Sequence, residues 1–329
     1  MARGFSIFPN DNFDKGDFRF KTKISYHSGG SYFSSNKGGL LDLLGKKTSS
    51  LPNNTQEKYQ DVLASFELQY GFTQNTSLYL LIPFGYRTEN RSINAEQFGL
   101  SDIHSGFSWR FFDRAEHDIK LLVDIKFPTG TTQIGFSDPT QNISPKLPLG
   151  DGSTDFSGGL QFTQNLLNTL SIEESLTYTI RFKTLAEYLD SGSFTFFDSN
   201  GNSYNLPIGN LEIDWGDELR GHIGFRFKFL NHFFLRVRGS YFWRDHTRVE
   251  FFDYNTSGNI TTSAKTMLNL GRSHYVSTIL ALEALLSKHW SVEVGWSHPL
   301  MGKNYPLPSL SFVESLLGET YHLEMTYAF

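Results

Sequence analysis

The amino-acid sequence predicts an all-β fold, a transmembrane antiparallel up-and-down β-barrel of about twelve strands. Three observations carry this prediction. First, about twelve segments of roughly 9–13 residues alternate apolar and polar side chains, and this period of two is typical of strands with one apolar face. Second, short and long connections alternate between these segments. Third, aromatic residues make up 16% of the chain, with 31 Phe and 15 Tyr, which favours strands over helices.

The bulk composition narrows the class of protein further. The chain has 329 residues, no cysteine and a net charge of -5. This charge gives no support to nucleic-acid binding, and the lack of cysteine excludes disulfides and thiolate sites. No run of about 18 apolar residues is present, so no membrane-spanning helix is predicted. We expect a single domain over 1–329, with 1–16 as a periplasmic N-terminal segment from which a signal peptide has been removed.

The alternating segments follow one another along the whole chain. In the first of them, Phe18, Phe20 and Ile24 share one face, and Arg19 and Lys23 share the other. The alternation is blurred in one segment, near 274–286. The predicted strands lie at about 17–27, 62–72, 77–87, 101–112, 118–127, 153–166, 170–182, 218–229, 233–241, 274–286, 289–296 and 321–329.

The connections between the predicted strands fall into two classes that alternate without exception. The tight turns lie around Thr73–Thr76, Asp113–Glu116, Leu167–Thr169, Asn231 and Lys288. The long polar loops lie at about 29–57, 89–97, 129–152, 184–215, 246–270 and 300–314. An even number of antiparallel strands with short periplasmic turns and long extracellular loops is typical of bacterial outer-membrane barrels, whereas a soluble sandwich gives no reason for such regularity.

The apolar face that recurs on nearly every strand must be buried. A soluble barrel would leave this band in water, whereas a membrane barrel presents it to lipid and encloses the charged face. Because hydrocarbon demands that backbone N–H and C=O groups are paired, the last strand, Tyr321–Phe329, must pair with the first near Arg19–His27. We therefore expect the bacterial outer membrane as the location, with contacts to its lipid and lipopolysaccharide.

The last residue adds an expected partner. The chain ends on an aromatic residue, Phe329, after a strictly alternating segment. This ending resembles the C-terminal assembly signal of outer-membrane barrels. The resemblance implies that the barrel assembly machinery recognises the chain through Phe329.

Three stretches in the central third of the chain carry a resemblance to a family. They are "FGLSDIHSGFSWRF", "DIKFPTG", which contains Phe127, Pro128, Thr129 and Gly130, and "PLGDGSTDFSGGLQF". Their order is similar to that in the putative outer-membrane transporters named for the meta-pathway of phenol degradation. The resemblance implies uptake of small apolar or aromatic molecules.

Charged residues at inward positions are the candidate pore-lining site. The predicted residues are Arg220, Arg226, Arg236, Arg238, Glu67, Glu283, Glu293 and Glu324. Five of them, Arg226, Arg236, Glu283, Glu293 and Glu324, lie about four to five residues above the tight turns, which predicts one shared layer. Two interpretations stay open: the charges pair and plug the interior, or they form a transverse field at a constriction that orients polar solutes.

Catalysis and metal binding are not predicted. Ser273 and His274 are adjacent, but neighbouring residues on a strand point to opposite faces, and no G-x-S-x-G elbow occurs. The ten histidines lack metal-site spacing, so no catalytic residue, metal or cofactor is expected. The leading hypothesis is a passive outer-membrane channel for small molecules. The alternative is a closed structural barrel that serves as an anchor or as a subunit of an envelope complex.

Overall fold

The structure, a computed structural model, describes twelve ranges of the chain. They are 15–34, 46–48, 58–90, 94–114, 117–132, 149–188, 194–197, 203–206, 209–254, 260–269, 272–303 and 317–329. Most of the predicted N-terminal segment, residues 1–14, lies outside these ranges. Within them, no helix has the length and apolar character needed to cross a bilayer.

The described residues form twenty β-strands. In chain order they are β1 (Phe18–Ser34), β2 (Lys46–Thr48), β3 (Lys58–Gly71), β4 (Thr76–Asn90), β5 (Asn94–Leu100), β6 (Ile103–Arg114), β7 (His117–Phe127), β8 (Asp155–Leu167), β9 (Leu170–Arg181), β10 (Thr184–Tyr188), β11 (Phe194–Phe197), β12 (Ser203–Leu206), β13 (Gly209–Asp214), β14 (Glu218–Leu230), β15 (Phe233–Arg244), β16 (Arg248–Tyr254), β17 (Ile260–Asn269), β18 (Ser273–Leu285), β19 (Trp290–Lys303) and β20 (Leu317–Ala328).

The barrel wall contains twelve antiparallel membrane-spanning strands, one of which consists of two of the β-strands given above. The sheet is closed, which confirms the predicted fold class. The wall runs through β1, β3, β4, β5 with β6, β7, β8, β9, β14, β15, β18, β19 and β20. β5 and β6 are two parts of one crossing, because β5 pairs with the upper half of β4 and β6 with its lower half. The crossing is interrupted at Ser101 and Asp102.

The barrel closes between the last strand and the first, as predicted. β20 pairs with β1 from Arg19 opposite Ala328 to Ser31 opposite Leu317. On its other side β1 pairs with β3, with Phe18 opposite Tyr70. The wall therefore has no unpaired edge, which is the condition for a sheet that faces hydrocarbon.

The two ends of the barrel differ as the sequence predicts. β3 and β4, β8 and β9, β14 and β15, and β18 and β19 are joined by four residues or fewer, and only residues 115–116 separate β6 from β7. The long connections gather at the opposite end. There β10, β13, β16 and β17 form a separate four-stranded sheet, and β11 pairs with β12.

The two faces of the wall follow the period of two. On β1 and β3 the exposed outer side chains include Ile24 and Leu68, whereas their neighbours Lys23 and Glu67 are buried inside. The blurred segment is β18, where small residues such as Ala281 replace polar ones at inward positions, and its Glu283 still points inward. The apolar face thus lies outside and the charged face inside.

Aromatic side chains mark both edges of the outer apolar band. Phe18 and Phe233 are exposed near the short-turn end, and Tyr26 and Tyr241 are exposed near the long-loop end of the same strands. Eight residues separate the two edges, which is about 26 Å along a strand and about 20 Å along the normal at a tilt of about 40°. This height is close to the apolar band of outer-membrane barrels, about 25 Å.

One carboxylate interrupts this apolar band. Glu174 on β9 is exposed on the outer face, with Phe162 and Ile223 as its neighbours on the adjacent strands. Within the described ranges, its side chain makes no hydrogen bond or ion pair. The adjacent Glu173 is the inward, buried carboxylate of this strand.

Arginine substitutions on the outer face test the assignment of the faces. Val294→Arg, near the middle of the band, should lower the free energy of unfolding by about 2–4 kcal/mol, and Leu235→Arg by less because it lies nearer the edge. The cause is the transfer of a guanidinium into hydrocarbon. Urea unfolding in liposomes measures the change.

Glu174→Leu is the matched counterpart of these substitutions. It removes a carboxylate from the same band and should raise the free energy of unfolding, since an apolar side chain then meets the lipid. Tolerance of arginine at both Val294 and Leu235 would contradict the assignment.

Candidate functional site

The space enclosed by the barrel, the lumen, is lined with charge. All eight predicted site residues lie on inward positions of their strands. Glu67, Glu283 and Glu293 are buried, and Arg220 and Arg226 are the more accessible. The structure thus brings these residues into one enclosed space. The five that were predicted to share a layer belong to a lower cluster, and Arg220 belongs to an upper one.

The lower cluster lies nearer the short turns and is organised around three glutamates. Glu283, Glu293 and Glu324 lie directly opposite one another on β18, β19 and β20. Like charges in such positions repel. The row is therefore stable only when cations lie between its members.

Arginines from β14 and β15 supply part of this compensation. Arg226 lies 3.1 Å from Glu283, and Arg236 lies 3.0 Å from Glu283 and 2.7 Å from Glu293. His322 Nε2 lies 3.1 Å from the other oxygen of Glu293. Arg236 thus bridges two carboxylates that face each other.

The remaining predicted residues pair with cations or carboxylates of other strands. Glu324, predicted in the same layer as Arg226 and Arg236, forms ion pairs with Lys21 at 3.4 Å and Lys23 at 3.8 Å. The reason is closure, which places Lys23 directly opposite Glu324. The other two predicted residues lie elsewhere on the wall: Arg238 pairs with Glu173 at 3.0 Å, and Glu67 lies opposite Lys21.

The upper cluster lies at the long-loop end of the lumen. Glu218 accepts hydrogen bonds from Arg181 at 2.8 Å, from Arg220 at 2.6 Å and from Arg244 at 2.8 Å. Arg181 also pairs with Asp151. Of this cluster, only Arg220 was among the predicted pore-lining residues. Glu218 and Arg181 lie at the ends of predicted strands, on their polar faces. Arg244 and Asp151 lie outside the predicted strands, where the period of two gives no signal.

Lys126 joins the upper cluster to the loop between β7 and β8. Its Nζ lies 2.6 Å from both Asp151 and Asp155. The indole N–H of Trp215 donates to the Asp151 carbonyl at 3.3 Å. The loop segment that contains Asp151 is therefore buried against the inner wall.

The three stretches that carry the family resemblance meet at this loop. The Asp102 carboxylate accepts hydrogen bonds from the backbone N–H groups of Gly130 at 3.0 Å and Asp151 at 3.1 Å. The Ser101 hydroxyl donates to the Leu149 carbonyl at 2.5 Å. A Cβ at Gly150 would lie 2.9 Å from Asp102 Cγ, so the close approach requires glycine there. The break between β5 and β6 thus holds both described ends of the loop, at Gly130 and at 149–151, against the inner wall.

The inner wall is packed on one side and accessible on the other. On β4 and β7, Leu81 and Leu122 are 2% and 0% exposed. On β14, the Arg220 and Arg226 side chains are 40% and 25% exposed. The accessible space of the lumen therefore runs along β14.

The two residues considered for catalysis, Ser273 and His274, are not placed to act together. Ser273 and His274 occupy successive positions of β18, with Ser273 buried, so they do not share a face. In the part of the chain that the structure describes, no group of three or more His, Asp or Glu residues could hold a metal ion. The expectation that no metal or cofactor is used stays a prediction.

Arg236→Gln tests whether the lower cluster is a buried ion network. We expect the free energy of unfolding to fall by about 3 kcal/mol, the lower end for breaking a buried ion pair, because Glu283 keeps Arg226 and Glu293 keeps His322. Urea unfolding in liposomes measures it. Arg272→Gln breaks an exposed pair with Asp245 and should cost less than about 1 kcal/mol. Equal small losses at both sites would show that solvent screens the cluster.

Comparisons with known proteins agree with this architecture. An outer membrane channel from Pseudomonas putida F1 has a TM-score of 0.66 at 12% identity, and the match covers 98% of this chain and 100% of that one. The likeness shows a shared outer-membrane barrel fold. No protein-family model and no curated protein matches the sequence.

Two further solved structures match with lower scores. The TodX monoaromatic hydrocarbon channel, in its deltaS2 mutant form, has a TM-score of 0.47 at 9% identity, with 96% of this chain and 90% of that one covered. The NanC porin has a TM-score of 0.44 at 7% identity, with 93% and 98% covered. The narrower resemblance to transporters named for the meta-pathway of phenol degradation stays a prediction.

Proposed function

We propose that the protein is a passive channel for small molecules in the bacterial outer membrane. In this arrangement the short turns face the periplasm and the long loops face the exterior, as in other bacterial barrels. The observation that carries the proposal is the accessible inner wall along β14, where Arg220 and Arg226 expose 40% and 25% of their side chains to the lumen. A solute that crosses the barrel meets these groups.

The accessible wall is cationic. β14 and β15 are adjacent, and their inward positions carry the cations Arg220, Arg226, Lys228, Arg236, Arg238 and Arg244. The carboxylates that pair with them, such as Glu173 and Glu283, are buried. A lumen that presents cations to water and covers its carboxylates favours anions over cations.

A closed structural barrel, an anchor or a subunit of an envelope complex, is the second candidate. The lower cluster favours it, because Glu283 and Glu293 side chains are 10% exposed and Arg236 bridges them. A barrel of about twelve strands lies between the filled eight-stranded size and the open porins, so dense pairing could block it.

The assembly partner and the solute class extend the proposal. The Phe329 ring is exposed and stacks on Phe18 at 5.6 Å between centroids, and we propose that the barrel assembly machinery reads it. The family resemblance supports small apolar or aromatic molecules as solutes. Both features rest on resemblance and go beyond the shared fold.

Conductance in planar bilayers tests the channel. In a KCl gradient we expect stable open steps and a reversal potential that shows preference for chloride. Arg226→Gln should move the reversal potential toward the cation-selective side, because one accessible charge is lost while Glu283 keeps Arg236. Arg272→Gln, outside the lumen, should leave it unchanged. Silence across salt and voltage would contradict the channel and support the closed barrel.

A further inference from the structure

The long-loop end of the cationic wall holds three side chains next to one another. Arg220, Phe242 and Tyr275 lie directly opposite one another on β14, β15 and β18. The guanidinium carbon of Arg220 lies 5.3 Å from the centroid of the Phe242 ring. The Phe242 and Tyr275 rings stack with centroids 4.9 Å apart. An arginine and two aromatic rings thus form a continuous surface.

Only some of the N–H groups of the Arg220 guanidinium have hydrogen-bond partners. Its Nε and Nη2 donate to one oxygen of Glu218, at 3.2 Å and 2.6 Å. Within the described ranges, its Nη1 has no hydrogen-bond partner. The side chain is 40% exposed, compared with 4% for Arg181 and 3% for Arg244 in the same cluster. Arg220 is therefore the member of the upper cluster that faces a solute.

The charge on Glu218 is shared too widely to neutralise Arg220. The carboxylate accepts from Arg181 and Arg244 as well. One negative charge is thus shared among three guanidinium groups. The field at the free edge of Arg220 stays positive and attracts an anion. A planar guanidinium edge fits a carboxylate well.

Tyr275 supplies the second polar contact. Its hydroxyl has no hydrogen-bond partner within the part of the chain that the structure describes. Its half-buried ring stacks on the ring of Phe242, which is itself buried. The surface therefore offers two donors, Arg220 Nη1 and the Tyr275 hydroxyl, beside an aromatic face.

We propose that this surface is a binding site for small planar carboxylates, of which benzoate is the simplest probe. The carboxylate pairs with the free edge of the Arg220 guanidinium and accepts from the Tyr275 hydroxyl, and the ring of the solute lies against the aromatic surface. The proposal rests on the channel function, because the solute reaches the site through the lumen. Arg226 also lies over a ring, Phe234 at 4.0 Å, but its Nε and Nη2 bind both oxygens of Glu283, and its side chain is 25% exposed, compared with 40% for Arg220. The site at Arg220 should therefore be the stronger.

Benzoate added to a KCl current in planar bilayers tests the site. We expect concentration-dependent interruptions of the current. Cyclohexanecarboxylate, which has the charge without the aromatic ring, and benzyl alcohol, which has the ring without the charge, should both interrupt it less. Arg220→Gln should weaken the benzoate effect by about tenfold, as expected for one lost charge-assisted hydrogen bond.

Two more variants separate the parts of the site. Tyr275→Phe keeps the ring and removes the hydroxyl, so it should weaken the block of the current by benzoate by a smaller factor than Arg220→Gln does. This variant still tests the site if Arg220→Gln folds poorly. Phe242→Leu should reduce the preference for benzoate over cyclohexanecarboxylate. Arg272→Gln is the control, and benzoate should interrupt its current as strongly as it does without the substitution.

The outcomes distinguish this site from the channel function itself. The absence of current in every buffer would overturn the channel, and the site with it. A normal KCl current that benzoate does not interrupt, or that both Arg220→Gln and Tyr275→Phe leave equally sensitive, would overturn the site alone. Equal block by benzoate and cyclohexanecarboxylate would overturn the aromatic part of the proposal.

Discussion

Closure of the sheet is the constraint on which the rest of the molecule depends. A wall with its apolar side chains outside must pair its backbone groups within itself, because hydrocarbon offers no hydrogen bonds. The antiparallel pairing of β1 with both β3 and β20 meets this requirement. Once the wall is closed, the period of two sends every second side chain into a narrow interior. The charged lumen is therefore a consequence of the same pattern that makes the outside apolar.

Enclosing that many charges creates a second requirement, which is that they compensate one another. Register places Glu283, Glu293 and Glu324 in one row, and cations from both flanking walls separate them. In the upper cluster one carboxylate, Glu218, serves three arginines. The unequal distribution leaves a positive surface where Arg220 meets the lumen. The proposed selectivity and the proposed binding site both follow from where compensation is incomplete.

The sequence predicted what depends on local periodicity and missed what depends on register or on loops. Strand positions, the alternation of turns and the pairing of the ends were predictable because each follows from the period of two and from the need for closure. The partner of Glu324 was not, since it depends on which residue of β1 lies opposite. The contacts of Asp102 were also missed, because they join three stretches that are distant in the sequence. The accessibility of inward side chains could not be predicted either. Leu122 and Arg226 both point inward, but Leu122 is covered by its neighbours and Arg226 is partly exposed, which depends on packing.

Reactivity of single cysteines tests the central claim, an accessible path along one wall of the lumen, most directly. The chain contains no cysteine, so each introduced thiol is the sole reactive group. Cysteines at His222 and Ser240, which lie opposite each other on β14 and β15, should react with a charged, membrane-impermeant thiol reagent in proteoliposomes. Cysteines at Leu81 and Leu122, on the packed wall, should stay unmodified under the same conditions. Equal protection at all four positions, or equal reactivity at all four, would contradict the account.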